Sequence, residues 1–170
     1  MAELAEKMSS ALNAMGQKEG KYLTFILAQE EYGIGIRKIK EIIGMMSITT
    51  VPQVPAFVKG VINLRGKVIP VMDLRLRFGM EPMDYTERTC IVVAEIEQGA
   101  GTVMIGIVVD AVSEVLNIKG ADIEETPTFG VRLNTDYILG MAKINKGVKI
   151  LLDIDRVLSV DEVDLLVRAA

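Results

Sequence analysis

Apolar residues recur along this chain in short runs, alternating or unbroken, with turn residues between them, which is the pattern of β-strands. Tyr22–Ala28 (YLTFILA) and Tyr32–Ile36 (YGIGI), separated by Gln29-Glu30-Glu31, predict a hairpin. In its second strand Gly33 and Gly35 leave one face bare, so another backbone can approach closely there. Arg37–Ile43 (RKIKEII) suits either one helical stripe through Ile39, Ile42 and Ile43 or a bent continuation of the strand. Pro52 and Pro55 require Ile48–Pro55 to be extended, and Ala56–Val61 is compatible with a helical turn.

The chain is organised around Phe57–Gly79, FVKGVINLRGKVIPVMDLRLRFG. Two apolar strands meet at Arg65-Gly66-Lys67, where Gly66 supplies the positive φ of a short hairpin. Pro70 points to an edge strand or a bulge. Asp73 is placed to cap a short helix whose inner side is Leu74 and Phe78. The cations Lys59, Arg65, Lys67, Arg75 and Arg77 share this stretch with one acid, Asp73, a combination that invites a partner.

The same stretch recurs. Tyr137–Ser159 aligns with Phe57–Gly79 without a gap at an offset of 80, matching Gly60 to Gly140, Leu64 to Ile144, Val68 to Val148 and Asp73 to Asp153. Upstream the offset is 73, matching Gly33-Ile34 to Gly106-Ile107, Ile39 to Val112 and Ile42 to Val115. The second unit opens with strands Cys90–Ile96 and Thr102–Val109. Asp110–Ile118 corresponds to Arg37–Ile43, and a polar connection, Lys119–Thr128, precedes a hairpin that starts at Thr135. The expected fold is therefore all-β: two five-stranded barrels from an internal duplication, packed side by side, with strand exchange permitted. The units run from about 21 to 81 and from 85 to 160. A C-terminal helix over 161–167, capped by Asp161 or Ser159, ends a domain of 21–170. Residues 1–20 stand outside it: Leu4, Met8, Ala11, Leu12 and Met15 fall at helical spacing, although a frayed tail is the preferred reading.

Composition narrows the function. The 170 residues are half hydrophobic with 5% aromatics and no Trp, so aliphatic β-branched side chains do the packing. No apolar run reaches the roughly 18 residues of a membrane span, and no signal-peptide pattern is present, so a cytoplasmic protein without direct membrane insertion is expected. Residues 1–79 hold 11 basic and 7 acidic side chains against 8 and 16 in residues 80–170, so the two ends can meet different partners. The overall acidity and the lack of aromatic platforms argue against nucleic acid. With no His and the single Cys90 in an apolar strand, His-dependent bases, catalytic triads and thiolate metal sites are excluded. The glycines match neither a P-loop nor a dinucleotide fingerprint. Asp73 and Asp153 could form a carboxylate dyad, but the capping reading is preferred because each follows a strand and precedes a short helix. No enzyme and no cofactor are expected.

Two binding features remain. Ile39, Val112 and Val115 are core residues or the lining of a seam between the barrels, and the residues alone leave both readings open. Arg65 faces Asn145 in the second unit, so the fold does not require Arg at that corner. It is a candidate for pairing with a partner's carboxylate.

EEYGIGIRKIKEII, VPQVPAFVKGVINLRGKVIPVMDLRLRFG, VVDAVSEVLNI and ILLDIDRVL together resemble the CheW family of bacterial chemotaxis coupling proteins, over Tyr22 to about Leu166. The resemblance implies two SH3-like barrel subdomains and no catalysis. It also implies an adaptor that joins the cytoplasmic tip of chemoreceptors to the regulatory domain of the histidine kinase CheA, in arrays beneath the membrane. On that basis Ile39, Glu41, Arg65, Val112 and Val115 are the receptor-binding positions, and Ile144 and Val148 the kinase-binding ones. A detached kinase regulatory domain shares the fold and is the nearest rival. A carbohydrate- or metabolite-binding barrel and a proline-peptide reader are both poor in view of the few aromatics.

Overall fold

The computed structural model describes residues 2–5, 18–98, 101–126 and 136–169. The helical stripe expected over residues 4–15, the connection beyond Thr126 and the start of the second hairpin at Thr135 fall largely or wholly outside them; residues 2–5 are helical. The first repeat forms β1 (Gly20–Leu27), β2 (Glu30–Gly35), β3 (Ile39–Gly44), β4 (Val58–Leu64), β5 (Lys67–Asp73) and the helix α1 (Leu74–Arg77). The second forms β6 (Cys90–Gln98), β7 (Gly101–Val109), β8 (Ala111–Ile118), the two-residue β9 (Ile123–Glu124), β10 (Ile138–Ile144), β11 (Gly147–Leu152) and α2 (Ile154–Val157). Helix α3 (Val160–Ala169) follows.

The strands make two sheets, each curled into an SH3-like barrel. Barrel 1 has the order β3-β6-β7-β5-β4 and barrel 2 the order β8-β1-β2-β11-β10-β9. The leading hairpin of each repeat completes the other repeat's barrel, joined by parallel pairs: β7 to β5 through Val71↔Gly106 and β2 to β11 through Leu151↔Gly33. The exchanged hairpins are consequently buried on both faces, which is why their sequences are unbroken apolar runs. Along β6, Ile91 and Val93 enter barrel 1, whereas Val92, Ala94 and Ile96 face the core between the sheets. Along β1, Tyr22 enters barrel 2 while Leu23 and Phe25 face that shared core. Rings of Phe25, Tyr32, Phe78 and Tyr137 follow one another through it with centroids 5.9, 6.1 and 5.1 Å apart, the first and last pairs stacked and the middle pair tilted. Helix α3 closes the far side with Val163 and Leu166 buried. Its start is a capping box, in which Ser159 Oγ accepts from the Glu162 amide at 3.1 Å and Glu162 Oε1 accepts from the Ser159 amide at 2.9 Å.

Two polar junctions tie the barrels where the chain crosses between them. At the β7–β8 crossover the Asp110 carboxylate accepts from Arg75 Nε at 2.9 and 3.0 Å and from the Ala28 amide at 2.9 Å. At the β2–β3 crossover Asp155 pairs with Lys38 at 2.6 Å and accepts from the Glu97 amide at 2.9 Å. Arg75 aligns with Asp155 and Asp110 with Arg37, the neighbour of Lys38, so the second junction is the first with its charges exchanged. Burial opposes the charge of Lys38, but its hydrogen bond to Asp155 holds its pKa above the usual lysine value.

Several local expectations change. Arg37–Ile43 resolves as a 3₁₀ turn, Ile36–Lys38, followed by the strand β3. The stretch considered for a helical turn is already strand from Val58. Pro70 sits in neither an edge strand nor a bulge, since β5 lies between β4 and β7. It is tolerated because the ladder to β7 begins one residue later, at Val71. Barrel 2 gains β9 as a sixth strand against Met141 and Ala142, and barrel 1 has an isolated bridge, Thr49↔Val61, at the equivalent place.

That bridge explains Gly60. With φ +140° its missing Cβ would lie 2.0 Å from the Thr49 carbonyl oxygen, whereas nothing lies within 4 Å at Gly35. Gly60→Ala should destabilise the fold by about 3 kcal/mol or more and Gly35→Ala by less than about 1 kcal/mol, read from urea midpoints. Equal midpoints for the two variants would show that the bridge does not constrain β4.

Candidate functional site: the seam and the barrel ends

Strand register decides which side chains look into the seam, because residues directly opposite in a ladder point to the same face. On the edge strand β3, Ile39 lies opposite Ala94 and Ile42 opposite Val92, both members of the core between the sheets. On the edge strand β8, Val112 lies opposite Phe25 and Val115 opposite Leu23, again members of that core. Ile39 and Val112 are half-buried against it. Ile42 and Val115 stand beyond them at 43% and 51% exposure. The twofold relation of the repeats thus sets two aliphatic pairs on the seam-facing sides of the two edge strands, each with an exposed outer member. Ile42 is absent from the sequence-based site, although the offset of 73 already paired it with Val115.

Glu41 and Arg65 belong elsewhere. Glu41 lies opposite Val93 and so points to the interior side of barrel 1, where it pairs with Arg65 from the β4–β5 turn across the barrel mouth. Behind this pair is a hollow of about 330 Å³ floored by Leu64, Val93 and Met104 and rimmed by Lys40 and Lys67. Lys40 is itself bound to Glu95 at 2.5 Å, and that hydrogen bond holds the Glu95 carboxyl below the usual range. The structure therefore brings together Ile39, Val112 and Val115 on one feature, and Glu41 with Arg65 on another formed by the opposite face of the same edge strand.

Ile144 and Val148 sit at the hairpin end of barrel 2. Val148 is 52% exposed, as is its counterpart Val68 at 50%. Ile144 is half-buried against the barrel 2 core. The mouths of the two barrels differ behind these tips. Ile69 and Met104 line barrel 1, whereas the equivalent Lys149, buried, and Glu31, half-buried, form an ion pair in barrel 2.

The carboxylates singled out for chemistry act as caps. Asp73 Oδ1 accepts from the Arg75 amide at 3.0 Å and Asp153 Oδ1 from the Asp155 amide at 3.1 Å. Burial raises the Asp153 pKa, and burial likewise raises that of the Cys90 thiol, disfavouring the reactive thiolate. Among the described residues, no group of three or more Cys, Asp or Glu could hold a metal ion, and no helix is long and apolar enough to cross a membrane.

Two SH3-like barrels that share one core and turn aliphatic side chains to the seam between them define a double-barrel β-fold. Comparison with known proteins makes the assignment specific. The CheW-like domain family matches residues 21–162, and the chain belongs to the CheW family of chemotaxis adaptors. It is 39% identical to a chemotaxis protein CheW of Klebsiella aerogenes, over all of this chain and 98% of that one. It is 34% identical to a probable chemotaxis protein CheW of Rhizobium etli, over 91% of this chain and 97% of that one. Among solved structures, a crystal structure of the scaffolding protein TtCheW from Thermoanaerobacter tengcongensis superimposes with a TM-score of 0.73 at 35% identity, covering 85% of this chain and 95% of that one.

Arg65 holds φ +51°, and its counterpart Asn145 holds +49°. Asn tolerates this region better than Arg does, so the backbone gives no reason for Arg65. Arg65→Asn should leave stability unchanged or raise it by up to about 0.5 kcal/mol, and Arg65→Val should lower it by about 1 kcal/mol or more, both read from urea denaturation. A loss on Arg65→Asn as large as that on Arg65→Val would mean that the ion pair to Glu41 is structural.

Proposed function

We propose that the chain is a non-catalytic adaptor coupling methyl-accepting chemoreceptors to the histidine kinase CheA, working on the cytoplasmic side beneath membrane-bound receptor arrays. The observation that carries this reading is the seam. Ile39, Ile42, Val112 and Val115 offer β-branched side chains at two depths, suited to the apolar face of a receptor's helical hairpin tip. Glu41 and Arg65, on the adjoining barrel mouth, supply charges that orient the helix and contribute more to specificity than to affinity. Val148, with Ile144 behind it, is the kinase-facing tip, meeting the regulatory domain of CheA barrel end to barrel end. Membership of the chemotaxis adaptor family supports the partners. The capping roles of Asp73 and Asp153 and the buried Cys90 support the absence of catalysis.

Pull-downs with a receptor cytoplasmic fragment and the kinase regulatory domain test the assignment. Val115→Asp, at an exposed position, should weaken receptor binding by roughly tenfold or more and leave kinase binding within about twofold. Arg65→Glu, which sets two carboxylates against each other, should weaken the receptor complex by a smaller factor. Val148→Asp should do the reverse, with circular dichroism confirming that all three fold. If the unmodified chain captures neither partner, the coupling role is wrong. If Val115→Asp loses the kinase and keeps the receptor, the faces are assigned the wrong way round.

A further inference from the structure

The two arms of the seam match at its centre and differ at its ends. The chain of edge strand β3 runs on past Ile39 and Ile42, and its alternation is set by what each residue packs against. Ile43, Met45 and Ile48 lie against the barrel 1 interior, so Gly44 and Met46 turn to the other side, the side of Ile42. The ladder agrees, since Gly44 lies opposite Cys90, a member of the core between the sheets. Ile42 is 43% exposed and Met46 37%, and Gly44 between them is exposed. Four residues at strand spacing put Ile42 and Met46 about 13 Å apart. Two apolar side chains therefore flank a gap whose floor is the Gly44 backbone with Cys90 beside it.

Among the described residues, nothing inside the fold asks for glycine at this position. A Cβ at Gly33, Gly60, Gly106 or Gly140 would come within 2.9 Å of a neighbouring atom. A Cβ at Gly44 would meet no described atom within 4 Å, and Gly44 is not among the glycines with positive φ. Glycine in a strand costs conformational entropy and marks a place where another backbone or a ligand comes close. At offset 73 the counterpart of Gly44 is Asn117 and that of Met46 is Lys119. Asn117 lies opposite Lys21 on the seam side of β8, because its neighbours Leu116 and Ile118 pack into barrel 2. Lys119 follows in extended conformation and turns the same way. Beyond the paired aliphatic residues, the β3 arm of the seam is thus a bare notch, and the β8 arm is filled by an amide and a lysine.

We propose that the notch between Ile42 and Met46 seats one aliphatic side chain of the receptor helix and so fixes the direction in which that helix lies on the seam. This rests on the reading of the seam as the receptor site. Ile39, Ile42, Val112 and Val115 alone set no direction, because the twofold relation presents similar β-branched pairs to a helix laid either way. The notch removes the ambiguity. Over Gly44 a protruding side chain is taken up and the helix backbone comes down to the strand. Laid the other way, the same side chain meets Asn117, and the Lys119 cation loses water beneath an apolar group. The notch is continuous with the seam and shares its aliphatic chemistry, so one occupant covers both.

The test is the affinity of full-chain variants for a receptor cytoplasmic fragment, followed by fluorescence anisotropy. Gly44→Asn, which installs the residue of the other repeat, should weaken binding roughly tenfold or more, and Gly44→Ala roughly threefold or more. Neither should change affinity for the kinase regulatory domain by more than about twofold. The urea midpoint of Gly44→Ala should equal or exceed that of the unmodified chain, because no packed atom is displaced and the unfolded chain loses freedom. A receptor fragment carrying a nitroxide at one end of its tip helix should broaden the amide signal of Gly44 or of Asn117 and leave the other sharp. If Gly44→Asn binds as tightly as the unmodified chain, the proposal falls and the receptor assignment stands. Equal broadening at Gly44 and Asn117 has the same consequence. A lowered urea midpoint in Gly44→Ala also overturns it, since the glycine would then serve the fold. If the unmodified chain does not bind the fragment at all, the receptor reading falls and the notch with it.

Discussion

Burial of the two exchanged hairpins on both faces is the constraint from which the rest of the architecture follows. β1–β2 and β6–β7 each give one face to a barrel and the other to the core between barrels, so neither sheet can be completed without the other repeat. Side chains such as Phe25, Ile34 and Ile107, fully buried there, contribute on the order of 1.5–3 kcal/mol each. That core is apolar and indifferent to small sliding. The Asp110–Arg75 and Asp155–Lys38 junctions are directional, each binding a cation and a hairpin amide with one carboxylate. Their exchanged charges also forbid a register in which one junction meets the wrong partner, since two cations or two carboxylates would then face each other. The orientation of β3 against β8, and with it the seam, is set by these contacts.

Positions alike in both repeats and positions that differ have separate physical meanings. Gly60 and Gly140 both lie under a crossing backbone, Asp73 and Asp153 both cap a helix, and Gly33 and Gly106 both admit a side chain from the parallel neighbour strand. These are requirements of the fold. The exchange of Ile69 and Met104 for Lys149 and Glu31 is not, because barrel 1 shows that an apolar mouth is stable. An ion pair with one member buried and the other half-buried gains little over an apolar pair once desolvation is counted. Its effect is to close the mouth of barrel 2 with a polar plug and leave barrel 1 with an open, apolar-floored hollow beside Arg65. Two barrels of one ancestry are thereby made unlike at their ends.

Much of this was legible in the chain. The offsets of 73 and 80 identify the duplication, and the short apolar runs place the strands of the four hairpins, whereas β9 lies in a stretch read as a polar connection. The repeat pairs Ile39 with Val112 and Ile42 with Val115, but whether they are core or seam was left open by the residues, and their place at the seam follows from the ladders of β3 to β6 and of β8 to β1. Three further features were not legible, each for a definite reason. Periodicity cannot choose between a helix and a bent strand over seven residues, so β3 needed its ladder to β6. Pro70 in an interior strand depends on where the β7 ladder starts, which is a tertiary fact. Glu41 is adjacent to Ile42 in sequence, but residues one apart in a strand face opposite sides. A stretch read as one site therefore divides into a seam side and a barrel-mouth side.

The resulting surfaces differ in the kind of partner they can discriminate. The seam edges are aliphatic with charges only nearby, so a contact made there would be selected by shape and would tolerate salt. The exposed valines at the barrel tips present a flatter apolar surface, suited to a β-surface such as another barrel end. Because the junctions fix these surfaces on one rigid body, occupancy of one can influence another only if a partner favours an altered junction geometry. The two crossovers, rather than the contact residues, are therefore where coupling between partners would have to be sought. A substitution at Asp110, which pairs with Arg75 and the Ala28 amide and lines none of those surfaces, is the place to look for such a change.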